Sequence, residues 1–336
     1  MEKNVVILAA GRGSRMQSRD PNHSKVAYPL LDKPLINYVM DAVKSIHPNE
    51  IVVVVGFGGE VTKSLVEKDA SVVWQKVING TGGAVLQAKP ILEKKSGLTL
   101  VVCGDTPLIT PETIHNVFRI HEKTGNQLTI VSMVLENPRG YGRIIREAKT
   151  NKVLAIREDR DASEEEKDIY EVNAGMYVFD NELLFKYLDR ITPNNAQHEY
   201  YLTDLVAMFV QDNLKIGAYI VEDAEEMYGI NDRVQLAHAA KVIRKRVNHK
   251  LMLNGVSIED PETSYISPDV EIGRDTIIRP NTTIVGKCKI GENNIIGPNV
   301  YIKDSTVGND NLILSSWITN DKVGNGQKVF DYKKFE

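Results

Sequence analysis

The residues with the clearest chemical potential lie near the N-terminus, in V-V-I-L-A-A-G-R-G-S-R-M-Q-S-R-D-P-N-H-S-K, Val5 to Lys25. An apolar run, Val5 to Ala10, breaks at once into Gly11-Arg12-Gly13-Ser14-Arg15. Glycines there let backbone amides face a ligand, because no Cβ blocks approach and positive φ is free. Arg15 and Lys25 add fixed positive charge. A buried strand that breaks into a glycine-rich turn with two cations suits a polyphosphate. The spacing is not the dinucleotide fingerprint, because Met16 occupies the third glycine position, and no G-K-[ST] follows as in a Walker A loop. A second turn of this kind, Asn79-Gly80-Thr81-Gly82-Gly83, follows Gln75. Cys103-Gly104-Asp105 ends another apolar run, Leu98 to Val102, so Asp105 stands at the C-terminal end of a predicted strand, where open α/β sheets bind ligands.

The elements that must carry these loops follow from hydrophobic pattern. Ile51 to Val55 is a continuous β-branched run, the mark of a central parallel strand. Strands are predicted at Val5 to Ala10, Val72 to Trp74 and Leu98 to Val102, with helices from Pro34 (Leu35, Val39 and Val43 on one face), at Glu60 to Lys68, at Ala84 to Leu92 and at Pro111 to His121. This alternation argues a doubly wound parallel sheet. From Gln127 strands dominate: Gln127 to Val134, Gly142 to Arg146, Val153 to Arg157 and Val172 to Phe179, with the acidic stretch Asp159 to Asp168 as a solvated loop or short helix. Helices at Asn181 to Leu188 and Leu202 to Val210 and a strand at Lys215 to Val221 close this part. Asp232 to Leu253 has helical apolar spacing, with Gly255 as its stop, and reads as a bridge between two domains. Its Arg244-Lys245-Arg246 cluster reads as a solvated face.

The third part is a repeat. Ile266, Ile272, Ile278, Ile284, Ile290, Ile296 and Ile302 recur every six residues, and Gly273, Gly291 and Gly297 directly follow isoleucines. A six-residue apolar period with glycine turns signals a β-helix, here of roughly three coils. The register slips after Ile302, because Val307 comes five residues later.

The 336 residues suffice for one large domain and a smaller one. A net charge of −4 gives no basic field for nucleic acid, so any phosphate must be held by local groups. The two cysteines, Cys103 and Cys288, argue against a disulfide framework and for a reducing cytoplasm. The N-terminal apolar run is too short for a signal peptide or a membrane span.

The chain resembles the bifunctional UDP-N-acetylglucosamine pyrophosphorylase / glucosamine-1-phosphate N-acetyltransferase family of bacteria. L-A-A-G-x-G-S-R-M carries this resemblance, with Q-x-x-x-x-G-T-G at Gln75 to Gly82, G-D-x-P-L at Gly104 to Leu108 and G-Y-G-R-I at Gly140 to Ile144. N-A-Q-x-E-Y-Y-L-T-D at Asn195 to Asp204 and G-I-N-D-R at Gly229 to Arg233 extend it. It implies a Rossmann-like nucleotidyltransferase domain (1–231), a linking helix (232–255) and a short left-handed parallel β-helix (256–336). The implied reaction is Mg2+-dependent transfer of UMP from UTP to N-acetylglucosamine 1-phosphate with release of pyrophosphate.

By resemblance, Arg15 and Lys25 are catalytic, with Lys25 near the α-phosphate. Leu8, Ala9, Ala10, Gly11, Gly13, Gln75, Gly80 and Thr81 bind the nucleotide, and Gly104, Gly142, Glu158, Asn173 and Asn231 the sugar. Asp105 and Asn231 hold magnesium, a carboxylate and an amide oxygen being reasonable ligands beside phosphate and water. Tyr141, Tyr200 and Tyr201 read as core or rim aromatics. The resemblance also implies a homotrimer built through the β-helix, in the cytoplasm.

Departures from the family pattern are Asn22-His23-Ser24 between Pro21 and Lys25, Cys103 where tyrosine is common, Ala174 for threonine and Arg160 for lysine. The repeat lacks the later coils that carry the acetyltransferase residues, so that second activity is not expected. Alternatives are a pyrophosphorylase for glucose 1-phosphate or N-acetylgalactosamine 1-phosphate, a hexapeptide acyltransferase, and a non-catalytic β-helix assembly protein. The absence of histidine from the repeat, the last being His249, argues against the acyltransferase.

Overall fold

The computed structural model describes residues 1–20 and 23–331; Pro21 and Asn22, part of the departure noted above, and the last five residues lie outside them. In chain order the first strands are β1 (Lys3–Ala9), β2 (Pro29–Leu30), β3 (Lys33–Pro34), β4 (Glu50–Val55), β5 (Ser71–Trp74) and β6 (Leu98–Cys103). They are followed by β7 (Leu128–Val134), β8 (Arg143–Arg146), β9 (Val153–Arg157), β10 (Glu171–Asp180) and β11 (Ile216–Ile220). The helices are α1 (Leu35–Lys44), α2 (Gly59–Val66), α3 (Thr81–Leu86), α4 (Lys89–Leu92), α5 (Pro111–Thr124), α6 (Glu164–Lys167), α7 (Asn181–Leu188), α8 (Asp204–Gln211) and α9 (Arg233–Leu253). Two compact units emerge: Met1–Tyr28 with Leu35–Asp232, and Pro29–Pro34 with Arg233–Glu336.

The first unit is a Rossmann-like α/β fold. Its sheet runs β11-β7-β10-β6-β1-β4-β5, with β8 and β9 as an appended hairpin. Strands β5, β4, β1 and β6 are parallel, as the β-branched runs predict. Helices cover both faces, so Val5, Val6 and Ile7 are fully buried and successive residues of β1 feed opposite cores. The sheet is not parallel throughout. The β8–β9 hairpin turns the chain back, and β10 enters antiparallel to both β6 and β7, with a bulge between Asn173 and Met176. Residues carried on β1, β4 and β6 therefore emerge at one edge, since Ala9 pairs with Val55 and Leu8 with Cys103. Helix α5 starts where the Thr110 hydroxyl accepts the Thr113 N–H and Pro111 takes the first turn, and it ends at Gly125 in left-handed conformation.

In the second unit α9 precedes a left-handed parallel β-helix of short strands stacked in three sheets of five, four and four. The hexad isoleucines 266, 278, 284, 296 and 302 are fully buried. The paired positions explain the slip after Ile302. Ile277 stacks on Ile295, then Leu312, then Lys328, so successive coils lose one residue each time. Strands at Ser257–Ile258 and Lys328–Phe330 extend the stack beyond the three coils expected.

Two local expectations are corrected. Pro34 does not open a helix: it sits in a hairpin opposite Pro29, and α1 begins at Leu35. Leu31 and Asp32 both take positive φ, as a two-residue hairpin turn requires. Ser267 donates its hydroxyl to the Leu31 carbonyl at 2.5 Å, and Lys33 pairs with Asp269 and Lys303 with Asp32, each at 3.0 Å. Arg244 is likewise not on a solvated face. It is 8% exposed, pairs with Glu262 at 2.5 Å and lies over the Tyr265 ring. An arginine stem can cover apolar surface while its planar head stacks and pairs.

Candidate active site

The loop after β1 is anchored by Met16, which is 1% exposed. It leads to a short 3₁₀ turn, Lys25–Ala27, whose Val26 and Ala27 are buried. Gly13 adopts φ +59°, and a Cβ there would lie 2.6 Å from the Lys25 Cβ. Only glycine lets the loop pass so close to Lys25.

Lys25 is the meeting point of the site. Its ammonium donates to the Asp105 carboxylate and, at 3.1 Å, to Asn231 Oδ1. Arg15 Nη2 donates to the same Asn231 oxygen at 2.9 Å. Asp105 comes from the end of β6, and Asn231 from the loop before α9. The Ile230 N–H donates to the Asp105 carbonyl at 2.8 Å and docks that loop on the strand end. Two cations thus face a carboxylate and an amide oxygen at the C-terminal ends of the parallel strands β1 and β6.

Beside them opens a cavity of about 340 Å3, a size suited to a small-molecule ligand. Leu8, Ala9, Ala10, Gly11, Lys25 and Asp105 line one side, and Gln75, Gly80 and Thr81 another. Gln75 is 3% exposed; its amide nitrogen donates to Asn79 Oδ1 at 3.0 Å and to the Gly80 carbonyl at 3.1 Å. Gly80 adopts φ +103°, and a Cβ there would come 2.6 Å from the Tyr200 carbonyl. Further bonds hold this turn to the 200–202 segment: Gly82 N–H to the Tyr200 carbonyl at 2.8 Å and Leu202 N–H to the Thr81 hydroxyl at 3.1 Å.

Glu158 closes the cavity on a third side. Its Oε1 accepts from the Thr203 hydroxyl at 2.9 Å. Burial raises its carboxyl pKa above the ordinary range, and the Asp161, Asp204 and Asp159 charges add to this against the Thr203 bond. Gly142 lies against it: a Cβ built there would be 3.4 Å from Glu158 Oε2. The Gly142 carbonyl accepts the Asn173 N–H at 2.8 Å. The Asn173 side chain donates to Tyr177 Oη at 2.6 Å and accepts the Gly175 N–H at 3.1 Å, which shapes the β10 bulge. The Gly104 N–H is committed to the Leu8 carbonyl at 2.9 Å.

Not every residue singled out in the sequence lines the cavity. Gly13, Arg15, Gly104, Gly142, Asn173 and Asn231 are not among its lining residues, whereas Ile78, Cys103, Gln197, Glu199 and Tyr201 line it. The last three share the motif Asn195 to Asp204, whose polar and aromatic density was the available signal. Tyr201, a core or rim aromatic by sequence, is 7% exposed. Burial, with the Asp105 carboxylate nearby, pushes the Cys103 thiol up to about 12, so it stays protonated at neutral pH. Among the described residues no cluster of three or more His, Cys, Asp or Glu could hold a metal ion. No helix among them is long and apolar enough to cross a membrane.

The family profile described as MobA-like NTP transferase domain matches residues 5–170, and that described as Bacterial transferase hexapeptide (six repeats) matches residues 269–304. Fold and site thus define a nucleotidyltransferase joined to a hexapeptide-repeat β-helix. The chain is 46% identical over 325 residues to Bifunctional protein GlmU of Geobacillus sp. (strain WCH70), covering 97% of this chain and 70% of that protein. It is 47% identical over 325 residues to Bifunctional protein GlmU of Thermoanaerobacter pseudethanolicus (strain ATCC 33223 / 39E), with the same coverage. The corresponding protein of Lactobacillus johnsonii (strain CNCM I-12250 / La1 / NCC 533) is 45% identical over 329 residues, 98% of this chain and 70% of its own length. The chain belongs to the GlmU family.

Proposed function

We propose that the protein is a UDP-N-acetylglucosamine pyrophosphorylase, which transfers UMP from UTP to N-acetylglucosamine 1-phosphate and releases pyrophosphate. The observation that carries this reading is the convergence of Lys25 and Arg15 on Asp105 and Asn231 beside the cavity. In-line attack on the α-phosphorus brings two anions together, so the site must offset their repulsion and stabilise the leaving pyrophosphate. Lys25 binds the α-phosphate and Arg15 the outer phosphates. Leu8, Ala9, Ala10, Gly11 and Gly13 offer backbone to the triphosphate and ribose, while Gln75, Gly80 and Thr81 hold the uracil edge. Gly104, Gly142, Glu158, Asn173 and Asn231 hold the acetylated sugar.

Asp105 and Asn231 fit a magnesium ion, because both direct oxygens at one cationic group, the Lys25 ammonium, and offer only hard oxygen donors. Bound there, magnesium would neutralise phosphate charge on both sides of the reaction. Lys25 would then pair with phosphate oxygen in place of Asp105, and Asp105 and Asn231 would be the residues to hold the ion.

We further propose residues 1–231 as the catalytic domain, 232–255 as the linking helix and 256–336 as an assembly domain that forms a homotrimer. A column of outward aromatics supports the trimer. Tyr301 and Trp317 lie on successive rungs of one sheet with their rings 4.4 Å apart, and Tyr265 stands on the same column two rungs before Tyr301, across Thr283. The two cysteines, both free, suit a cytoplasmic enzyme.

The test is pyrophosphate release from UTP and Mg2+ with a panel of sugar 1-phosphates, with Asp105→Ala as control. Preference for N-acetylglucosamine 1-phosphate, lost in the variant, supports the reading. Preference for glucose or N-acetylgalactosamine 1-phosphate moves the substrate, and no release with any sugar overturns the reading.

A further inference from the structure

Arg143 is 1% exposed, yet it carries a charge and reaches neither the cavity nor the Lys25 cluster. It lies at the start of β8, where its backbone pairs with both Arg157 of β9 and Val172 of β10. Its guanidinium Nη1 donates to the Tyr141 carbonyl and, at 2.8 Å, to Asp159 Oδ1; Nη2 donates to the Lys167 carbonyl at 3.3 Å. Tyr141 immediately precedes Gly142, and Asp159 immediately follows Glu158. One planar group thus ties together the two chain segments that carry Gly142 and Glu158, and these two residues lie against each other beside the cavity that Glu158 lines.

Stability alone is a poor reason for this arrangement. A buried charge costs more than an apolar side chain of similar volume unless its hydrogen bonds are well satisfied. Here the Arg143 Nε has no hydrogen-bond partner among the described residues. A rigid fork that engages a carbonyl and a carboxylate at once does supply a fixed distance between them. The segment beyond is held from its other end as well: Asp161 accepts the Ala196 N–H at 3.0 Å, and Thr203 holds Glu158.

We infer that Arg143 is a positioning residue, which sets the spacing of Gly142 and Glu158 and so the affinity for the sugar 1-phosphate, without touching either substrate. This rests on the pyrophosphorylase reading above. The experiment uses the full chain with UTP, Mg2+ and N-acetylglucosamine 1-phosphate, comparing wild type with Asp159→Asn, Arg143→Lys and Arg143→Met. Misplacing a binding group by about 1 Å can cost on the order of 100-fold. We expect KM for the sugar 1-phosphate to rise about tenfold in Asp159→Asn and up to about 100-fold in Arg143→Met, with Arg143→Lys between them. KM for UTP should stay within about twofold in all three.

A role confined to stability predicts something else: a smaller folded fraction lowers the apparent kcat and leaves both KM values unchanged. Asp159→Asn keeps the test decisive if Arg143→Met does not fold, since Asp159 is one-third exposed and its replacement is isosteric. An unchanged sugar KM in folded Asp159→Asn, or a parallel rise in KM for UTP, overturns this inference while leaving the pyrophosphorylase reading intact. Absence of pyrophosphate release by the wild-type chain overturns that reading and this inference with it.

Discussion

Replacing Gly13 by alanine tests whether the loop after β1 positions Lys25. Gly13 adopts φ +59°, where a Cβ costs about 1–2 kcal/mol. That Cβ would stand 2.6 Å from the Lys25 Cβ, whereas ordinary contact begins at 3.4 Å, so one of them must move by 3.4 − 2.6 = 0.8 Å. The Gly13 side has little freedom, because its carbonyl accepts the Met16 N–H at 2.9 Å and Met16 is buried. The displacement therefore falls on Lys25. A shift approaching 1 Å in a group that must meet a phosphate costs on the order of 100-fold in rate, or about 2.7 kcal/mol of transition-state stabilisation. Pyrophosphate release at saturating UTP and sugar 1-phosphate should show kcat lowered about 30- to 100-fold in Gly13→Ala. Thermal denaturation in parallel should show only the modest loss due to the strained backbone. A kcat within about twofold of wild type, in a variant of unchanged stability, would refute the contact between Gly13 and Lys25 as the determinant of Lys25 placement.

Two further outcomes follow from the geometry. Glu158 holds its proton to higher pH in the folded chain than in the unfolded one, where carboxyls titrate near 4.3, so its contribution to stability falls as pH rises through that window and stays lost above it. Glu158→Gln should therefore raise Tm at pH 7–8 relative to wild type, with the gap narrowing below about pH 4.3, while kcat/KM for the sugar 1-phosphate falls about 10- to 100-fold; a lower Tm at pH 8 would contradict the burial argument. In the β-helix, Asn311 donates to Asn294 Oδ1 at 2.9 Å and accepts the Gln327 N–H at 2.7 Å, so Asn311→Ala should speed hydrogen exchange at the Gln327 amide about 10- to 100-fold while leaving β1 amides unchanged.

Local pattern made much of the architecture readable. The β-branched runs at Val5 and Ile51 mark strands buried on both faces, because a strand covered twice has no polar positions to alternate. The hexad isoleucines mark one buried position per rung, so the β-helix could be read without its stacking partners. The entry of β10 between β6 and β7 was not readable, since strand order is set by how the β8–β9 hairpin returns the chain and not by the composition of β10. The turn at Leu31 and Asp32 carried no Asn-Gly or Asp-Gly signal. Its positive φ angles are held by Ser267, Asp269 and Lys303, more than 230 positions away in sequence. Arg244 looked solvated because charge clusters usually are, and burial against Glu262 and Tyr265 depends on where the first coil meets α9.

The glycine turns, the cations near them and the carboxylate at a strand end are properties of short segments, so the sequence alone pointed to a candidate phosphate-binding loop and a hexapeptide repeat, and motif resemblance pointed to a nucleotidyltransferase domain. Only the tertiary structure decided that Arg15 and Asn231, 216 positions apart, share a hydrogen bond, and that Lys25 lies between Asp105 and Asn231. It also decided that Arg143 bonds both the Tyr141 carbonyl and the Asp159 carboxylate, on the segments that carry Gly142 and Glu158. The physical reason is that segment pattern encodes which face an element buries. Which distant side chains then meet depends on sheet order, strand register and the few backbone bonds that dock one loop on another, such as Ile230 on Asp105.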